Sequence, residues 1–278
     1  MNVITVSRSY GSAGTSFASK LAEVMGYRYV GEELVKKIDE SKDVSDVLAM
    51  NLEAETPPDF FKKMKELVSN RNFFKVALET YVYEMALQDN LVFVGGGVHL
   101  ILEGYPCLFS VQIVRGLSDR VRAVAADEKI KCDVALELVK KIDKHKVNFI
   151  KHYFDKELFD PTMFHLTINS SRMTLDDGLD MIAEYSEKAF KRADHNNSKL
   201  FLTKRLIEKR SQLILFALNL THQGKINFEA KDDGKLVIKG VIGGKNDKER
   251  LLGMLSKVPG VTGVEDNLTV GILSRNLY

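Results

Sequence analysis

Four short apolar runs, each followed by a stretch of helical character, constrain this chain more than any other feature of it. The runs are Met1–Ser7, "NLVFV" ahead of three glycines, "LFSVQIV" (Leu108–Val114) and "FHLTINSS" (Phe164–Ser171). Each is too short for a helix and rich in β-branched or aromatic residues, which suits a strand buried on both faces. Between them lie a helix from about Thr15 to Met25, stopped by Gly26, and an amphipathic segment, Phe73–Gln88. That segment carries Phe74, Leu78, Tyr81, Val82 and Met85 on one stripe. "DRVRAVAADE", "VALELVKKIDKHKVNFIKHYF" and "LDDGLDMIAEYSEKAFKRA" read as further helices. Glu32–Glu40 reads as a short helix and "NLEAETPPDFF" as a loop or helical arm. Strands alternating with helices imply an α/β fold, a parallel sheet with helices on both faces.

The pattern changes at the polar stretch "RADHNNSK", Arg192–Lys199. Residues 1–192 are read as a first domain, 193–202 as a linker and 203–278 as a small second domain. The second is expected to run helix (about Lys204–His222), strand (Lys225–Ala230), "DDG" turn and strand (Lys235–Val241). A helix (Asp247–Val258), a "PGV" turn and a strand (Gly263–Gly271) follow, which makes an α-β-β-α-β unit. With 45% hydrophobic and 28% charged residues, the composition is that of a globular chain and not of a disordered one. A net charge of +2 gives no reason to expect nucleic acid as a partner. No apolar run approaches the roughly 20 residues that cross a bilayer. "MNVITVSR" lacks the basic flank and apolar core of an export signal. Two cysteines, Cys107 and Cys132, fit a reducing compartment, so a cytoplasmic location is the expectation.

The first strand runs into "RSYGSAGTS" and then a helix. A strand, a glycine turn and a helix N-terminus together present backbone N–H groups and a favourable dipole to an anion. In a standard phosphate loop a lysine reaches the outer phosphates and a hydroxyl holds magnesium. Here Gly11 falls at an internal glycine, Gly14 at the lysine position, Thr15 at the hydroxyl position and Arg8 where the first glycine would be. Gly11, Ser12, Ala13, Gly14 and Thr15 are therefore the candidate phosphate-binding residues, with Thr15 toward a nucleotide-bound magnesium. A plain βα turn, whose glycines only permit tight geometry, is the competing account of this stretch.

"ITVSRSYGSAGTSFASKLAEVMGYRYVGEELV" resembles the opening of the cytidylate kinase-like family. The likeness continues through "LVFVGGGVHLIL", "VQIVRGLSDRVRAVAADEKI", "ALELVKKIDKHKVNFIKHYF" and "FHLTINSS", in order over nearly all of residues 1–190. That family implies a P-loop nucleoside monophosphate kinase fold, with ATP and magnesium as cofactors and phosphoryl transfer to CMP or dCMP. It also lacks the usual loop lysine. Matched residue by residue, it implies catalytic roles for Arg8, Arg120 and Lys146, with Arg122 as the second basic residue of the lid start. On the acceptor side the candidates are Glu33 (or Glu32), Arg71, Gly95 and Gly97. Several positions depart from the family pattern: Gly95-Gly96-Gly97 stands for Gly-Arg-Gly, Asp143-Lys144-His145-Lys146 for Asp-x-x-Arg, and Ala13 for a glycine.

"KLVIKGVIGGKNDKERLLGMLSKVPGVTGVEDNLTV" resembles a BON domain over roughly Thr203–Val270. Such modules contact ligands, lipids or protein surfaces, another copy of the same chain included, and are not catalytic. The six histidines show no metal-ligand spacing, and Asp127-Glu128 fits a solvated helix face. Three functions stay open on this reading. One is a cytidylate-type kinase, of weak activity if the departures tell; another is a degenerate kinase domain that senses a nucleotide and passes its state to the second domain. The third, a purely structural interaction protein, needs even the phosphate loop to be empty.

Overall fold

The computed structural model describes residues 1–31, 71–88, 90–221 and 226–271. The expected helix Glu32–Glu40 and the "NLEAETPPDFF" arm lie outside them. Two compact units are present: Met1–Leu34 with Gln88–Ser198, and Val35–Leu87 with Lys199–Tyr278.

The first unit is built on five parallel strands: β1 (Val3–Arg8), β2 (Arg28–Val30), β3 (Leu91–Val94), β4 (Leu108–Val114) and β5 (Leu166–Asn169). Their order across the sheet is β2-β3-β1-β4-β5. Every residue of β1 and β3 is buried, as expected when both faces of a parallel sheet are covered. Four of these strands are the four apolar runs. The fifth, β2, is three residues long and partly exposed, too short to leave a period in the sequence.

Helix α1 (Gly14–Met25) ends at Gly26, whose φ of 64° lets the chain turn left-handed while its N–H meets Ala22 O and Glu23 O. The apolar residues Phe17, Ala18, Leu21 and Ala22 are buried. Of the remaining helices of this unit, α3 (Val98–Ile101) follows the three glycines and α4 (Leu117–Asp127) follows β4. Helices α5 (Cys132–Phe154) and α6 (Leu175–Lys191) come next; α2 (Arg71–Gln88) precedes all four in sequence and groups with the second unit. α6 starts at Thr174, whose hydroxyl accepts from Asp177 N, and Gly178 lets it approach Phe17 and Ile168.

Helix α7 spans His195–Ala217, so most of the segment read as a linker is helical. Its polar residues cap the helix: Asp194 Oδ1 accepts from Asn197 N at 3.0 Å, and buried Ser198 donates to Asp194 O at 2.7 Å. The second unit continues with β6 (Asn227–Ala230), β7 (Lys235–Ile242), α8 (Lys245–Leu255) and β8 (Gly263–Val270). β7 pairs antiparallel with β6 through the "DDG" hairpin and parallel with β8. Ile207, Ile214, Leu236, Ile238, Leu251 and Leu255 fill its core. Within the same unit Phe73 of α2 meets Phe216 of α7 edge-to-face, with ring centroids 5.4 Å apart.

Candidate nucleotide site

Strand β1 is the middle strand, and the chain leaves its carboxyl end at Arg8 with β3 on one side and β4 on the other. In open α/β sheets ligands bind in the crevice beyond the carboxyl ends of the strands, where the chain order reverses. The loop that follows is fixed by its own residues and by residues at the ends of β4 and β5. Ser9 N donates to Ile113 O at 3.1 Å, Ser12 Oγ donates to Ser9 O at 2.8 Å, and Ser170 Oγ donates to Ser12 O at 3.0 Å.

Tyr10 is held at both backbone atoms. Its N–H donates to Asp143 Oδ1 at 3.0 Å, and its carbonyl accepts from Arg120 Nη1 at 3.1 Å. Arg120 and Asp143 also pair with each other at 2.5 Å, with side chains only 12% and 16% exposed. Arg120 Nε donates to Arg115 O at 3.1 Å, which ties the chain after β4 into the same cluster. The two helices that bracket the site, α4 and α5, thus clamp the loop through one ion pair.

Arg8 is buried, and its side chain crosses the loop. A Cβ built on Gly14 would lie 2.6 Å from Arg8 Cβ, and one built on Gly95 would lie 2.6 Å from Arg8 Nη1. Arg8 Nε donates to Thr15 Oγ1 at 3.3 Å. A guanidinium therefore occupies ground next to the position where a phosphate loop has its lysine. Gly11 has φ 77° and packs on α4, since a Cβ there would stand 2.9 Å from Val124 Cγ2. Ala13 adopts φ 60° and ψ 14°, left-handed for a residue with a Cβ, and gives α1 no side-chain cap. The N–H groups of Gly14, Thr15 and Ser16 find no acceptor among the described residues and form the first turn of α1.

A cavity of about 410 Å³ opens on these amides. Its wall includes Arg8, Tyr10, Gly11, Ala13, Gly14, Thr15, Ser16, Arg115, Asp127, Glu128 and Lys146. Lys146 Nζ stands 5.7 Å from the centre of the Tyr10 ring. Phosphates fit such a wall, which offers free amides at a helix start and three cationic side chains. Magnesium at Thr15 fits poorly, because the hydroxyl oxygen that would ligate it faces a guanidinium. No group of three His, Cys, Asp or Glu suited to a metal ion occurs among the described residues.

A model of the cytidylate kinase-like family matches residues 3–172, from the start of β1 to just past β5. The chain belongs to the cytidylate kinase-like family. The loop, the clamp and the cavity all lie inside the matched span; the second unit's C-terminal sheet lies beyond it. Among solved structures, an uncharacterized protein from Eubacterium ventriosum shares the fold at TM-score 0.52 and 21% identity. The match covers 67% of this chain and 99% of that one. Shikimate kinase from Bacteroides thetaiotaomicron matches at TM-score 0.40 and 15% identity, over 67% of this chain and 98% of that one. Shikimate kinase from Acinetobacter baumannii, solved with shikimate, matches at TM-score 0.37 and 15% identity, over 68% and 94%. No curated protein matches the chain in sequence.

Within this cytidylate kinase-like unit the fold gathers Arg8, Gly11, Ala13, Gly14, Thr15 and Lys146 around one cavity. Ser12 lies beneath the loop, fully buried, and Arg120 serves the Tyr10 clamp. Arg122 points elsewhere and pairs with Asp119 at 2.5 Å. The space above Gly95 is taken by Arg8 and that above Gly97 by the Phe154 ring. Glu33 lies outside the described residues, and Arg71 opens α2 in the second unit. Arg115, which the sequence reading does not single out, lines the cavity; Asp127 and Glu128 line it too, and both are exposed, as a solvated helix face should be. Arg115 was detectable as the first residue after a strand that pairs with β1.

Proposed function

We propose that the loop cavity binds the phosphates of a nucleoside triphosphate, and that this unit transfers the terminal phosphoryl group to CMP, dCMP or a related monophosphate. Support comes chiefly from the course of Arg8, whose stem lies over Gly14 and whose guanidinium reaches Thr15. In the transfer an acceptor phosphate oxygen bonds to the γ-phosphorus, the bond from that phosphorus to the β-bridging oxygen breaks, and the diphosphate leaves. Catalysis of such a step rests on placing positive charge around the equatorial oxygens. Arg8 and the amides of Gly14 to Ser16 would hold the donor, and Lys146 would meet the transferred group. Magnesium arriving with the nucleotide would neutralise part of the phosphate charge.

A second reading, nucleotide binding without turnover, draws on two observations. Arg120 is engaged by Asp143 and Tyr10, and the glycines at 95 and 97 are covered by Arg8 and Phe154. Under either reading the second unit is a non-catalytic interaction module of the BON type. Its resemblance over Thr203–Val270 and its order of helix, strand, strand, helix and strand support that role. The described residues contain no helix long and apolar enough to cross a membrane, and both cysteines are free, which suits a cytoplasmic setting.

Incubation of the full chain with ATP, magnesium and a panel of monophosphates separates the readings. CMP-dependent ADP formation that falls about a hundredfold in Arg8→Ala supports the kinase. Thermal stabilisation by ATP with no product supports the sensor.

A further inference from the structure

We infer that Arg115 is a phosphate-binding residue of the loop cavity and supplies the charge that Gly14 and Gly96 leave out. The inference rests on the proposed binding of a polyphosphate there. Arg115 follows β4 directly, and β4 runs in register with β1 so that Ile113 faces Arg8. Its side chain therefore starts at the same sheet edge as the loop, in the crevice between the two central strands, and it lines the cavity.

The surroundings of Arg115 leave its Nε without an acceptor: Asp119, whose carboxyl is held below the usual range by Ser171, by Arg122 and in part by the charge of Arg115, gives it no hydrogen bond. Among the described residues Arg115 makes no ion pair, and that Nε is buried. Asp119, the nearest acid in sequence, accepts instead from Ser171 Oγ and Arg122 Nη2, each at 2.5 Å. The backbone at Arg115 is fixed, since its carbonyl accepts from Arg120 Nε. A guanidinium held on a fixed backbone, with a buried donor unsatisfied, is costly unless an anion completes it.

Charge balance points the same way. Arg8, Arg115 and Lys146 share the cavity lining with Asp127 and Glu128. Without Arg115 these side chains cancel, and only the loop amides would attract a polyanion. With it the wall has one cation in excess, on the side next to the loop.

The test is calorimetric titration of the full chain with inorganic tripolyphosphate, which has no base or ribose, comparing wild type, Arg115→Ala, Arg115→Lys and Arg8→Ala. The inference expects Arg115→Ala to weaken binding about 10- to 100-fold and Arg115→Lys to recover part of the loss. Melting temperatures of the unliganded variants, unchanged within a degree or so, would separate lost contact from lost fold; if Arg115→Ala does not fold, the milder Arg115→Lys carries the comparison. Tripolyphosphate binding intact in Arg115→Ala but lost in Arg8→Ala overturns the inference and leaves the proposed function standing. No binding by wild type overturns both.

Discussion

The stem of Arg8 fills the space in which a side chain on Gly14 would begin, with Arg8 Cβ 2.6 Å from that point. The two positions are thus one unit: an arginine at the end of β1 requires a glycine six positions on, at the start of α1.

Restoring a lysine at the loop should therefore fail by itself. Gly14→Lys is expected to cost about 1–3 kcal/mol in denaturant unfolding, because the new Cβ and Arg8 cannot share the space. The double variant Arg8→Gly/Gly14→Lys should recover most of that loss, a coupling a double-mutant cycle measures directly.

Ala13 is the strained residue of the loop. At φ 60° its Cβ crowds the backbone, and glycine removes the conflict. Ala13→Gly should raise stability by about 1 kcal/mol, read as a shift in denaturant midpoint at constant slope.

How far the sequence reaches can be seen at particular residues. The β-branched runs of β1, β3 and β4 announced the parallel sheet, because a strand buried on both faces must be apolar throughout. Gly26 and the "DDG" hairpin marked chain turns that need positive φ, and both Gly26 and Gly234 have it. Asn196, Asn197 and Ser198 misled, since polar residues at a helix start look like those of a linker until Asp194 is seen to cap them. The loop itself was legible. The clamp was not, because Tyr10 and Asp143 meet only through the packing of α5 beside the loop, 133 residues apart in sequence.

Asp143 should matter more to the loop than to chemistry. Asp143→Ala leaves the Arg120 guanidinium largely buried without its carboxylate and frees Tyr10 N–H. A loss of about 3 kcal/mol is expected in urea unfolding, together with faster amide exchange at Tyr10 and Gly11.

His99 should make stability depend on pH. It is 7% exposed, its Nε2 is buried without a partner among the described residues, and its ring lies 4.7 Å from that of Phe164. Burial pulls its pKa from 6.5 down to about 4. The unfolded chain then binds a proton that the folded one refuses, so stability is full above pH ~6.5 and falls as pH drops toward 4. The fall attributable to this residue is about 3 kcal/mol. Unfolding measured from pH 7 to 4 should show that slope in wild type and lose it in His99→Phe.

The central claim is that loop amides and Arg8 together hold a triphosphate. Calorimetric titration of the full chain with ATP, beside Arg8→Ala, tests it most directly. The account expects saturable binding at one site in wild type, weakened about a hundredfold in the variant. Equal affinity in the two proteins, or no binding by wild type at millimolar ATP, would contradict it.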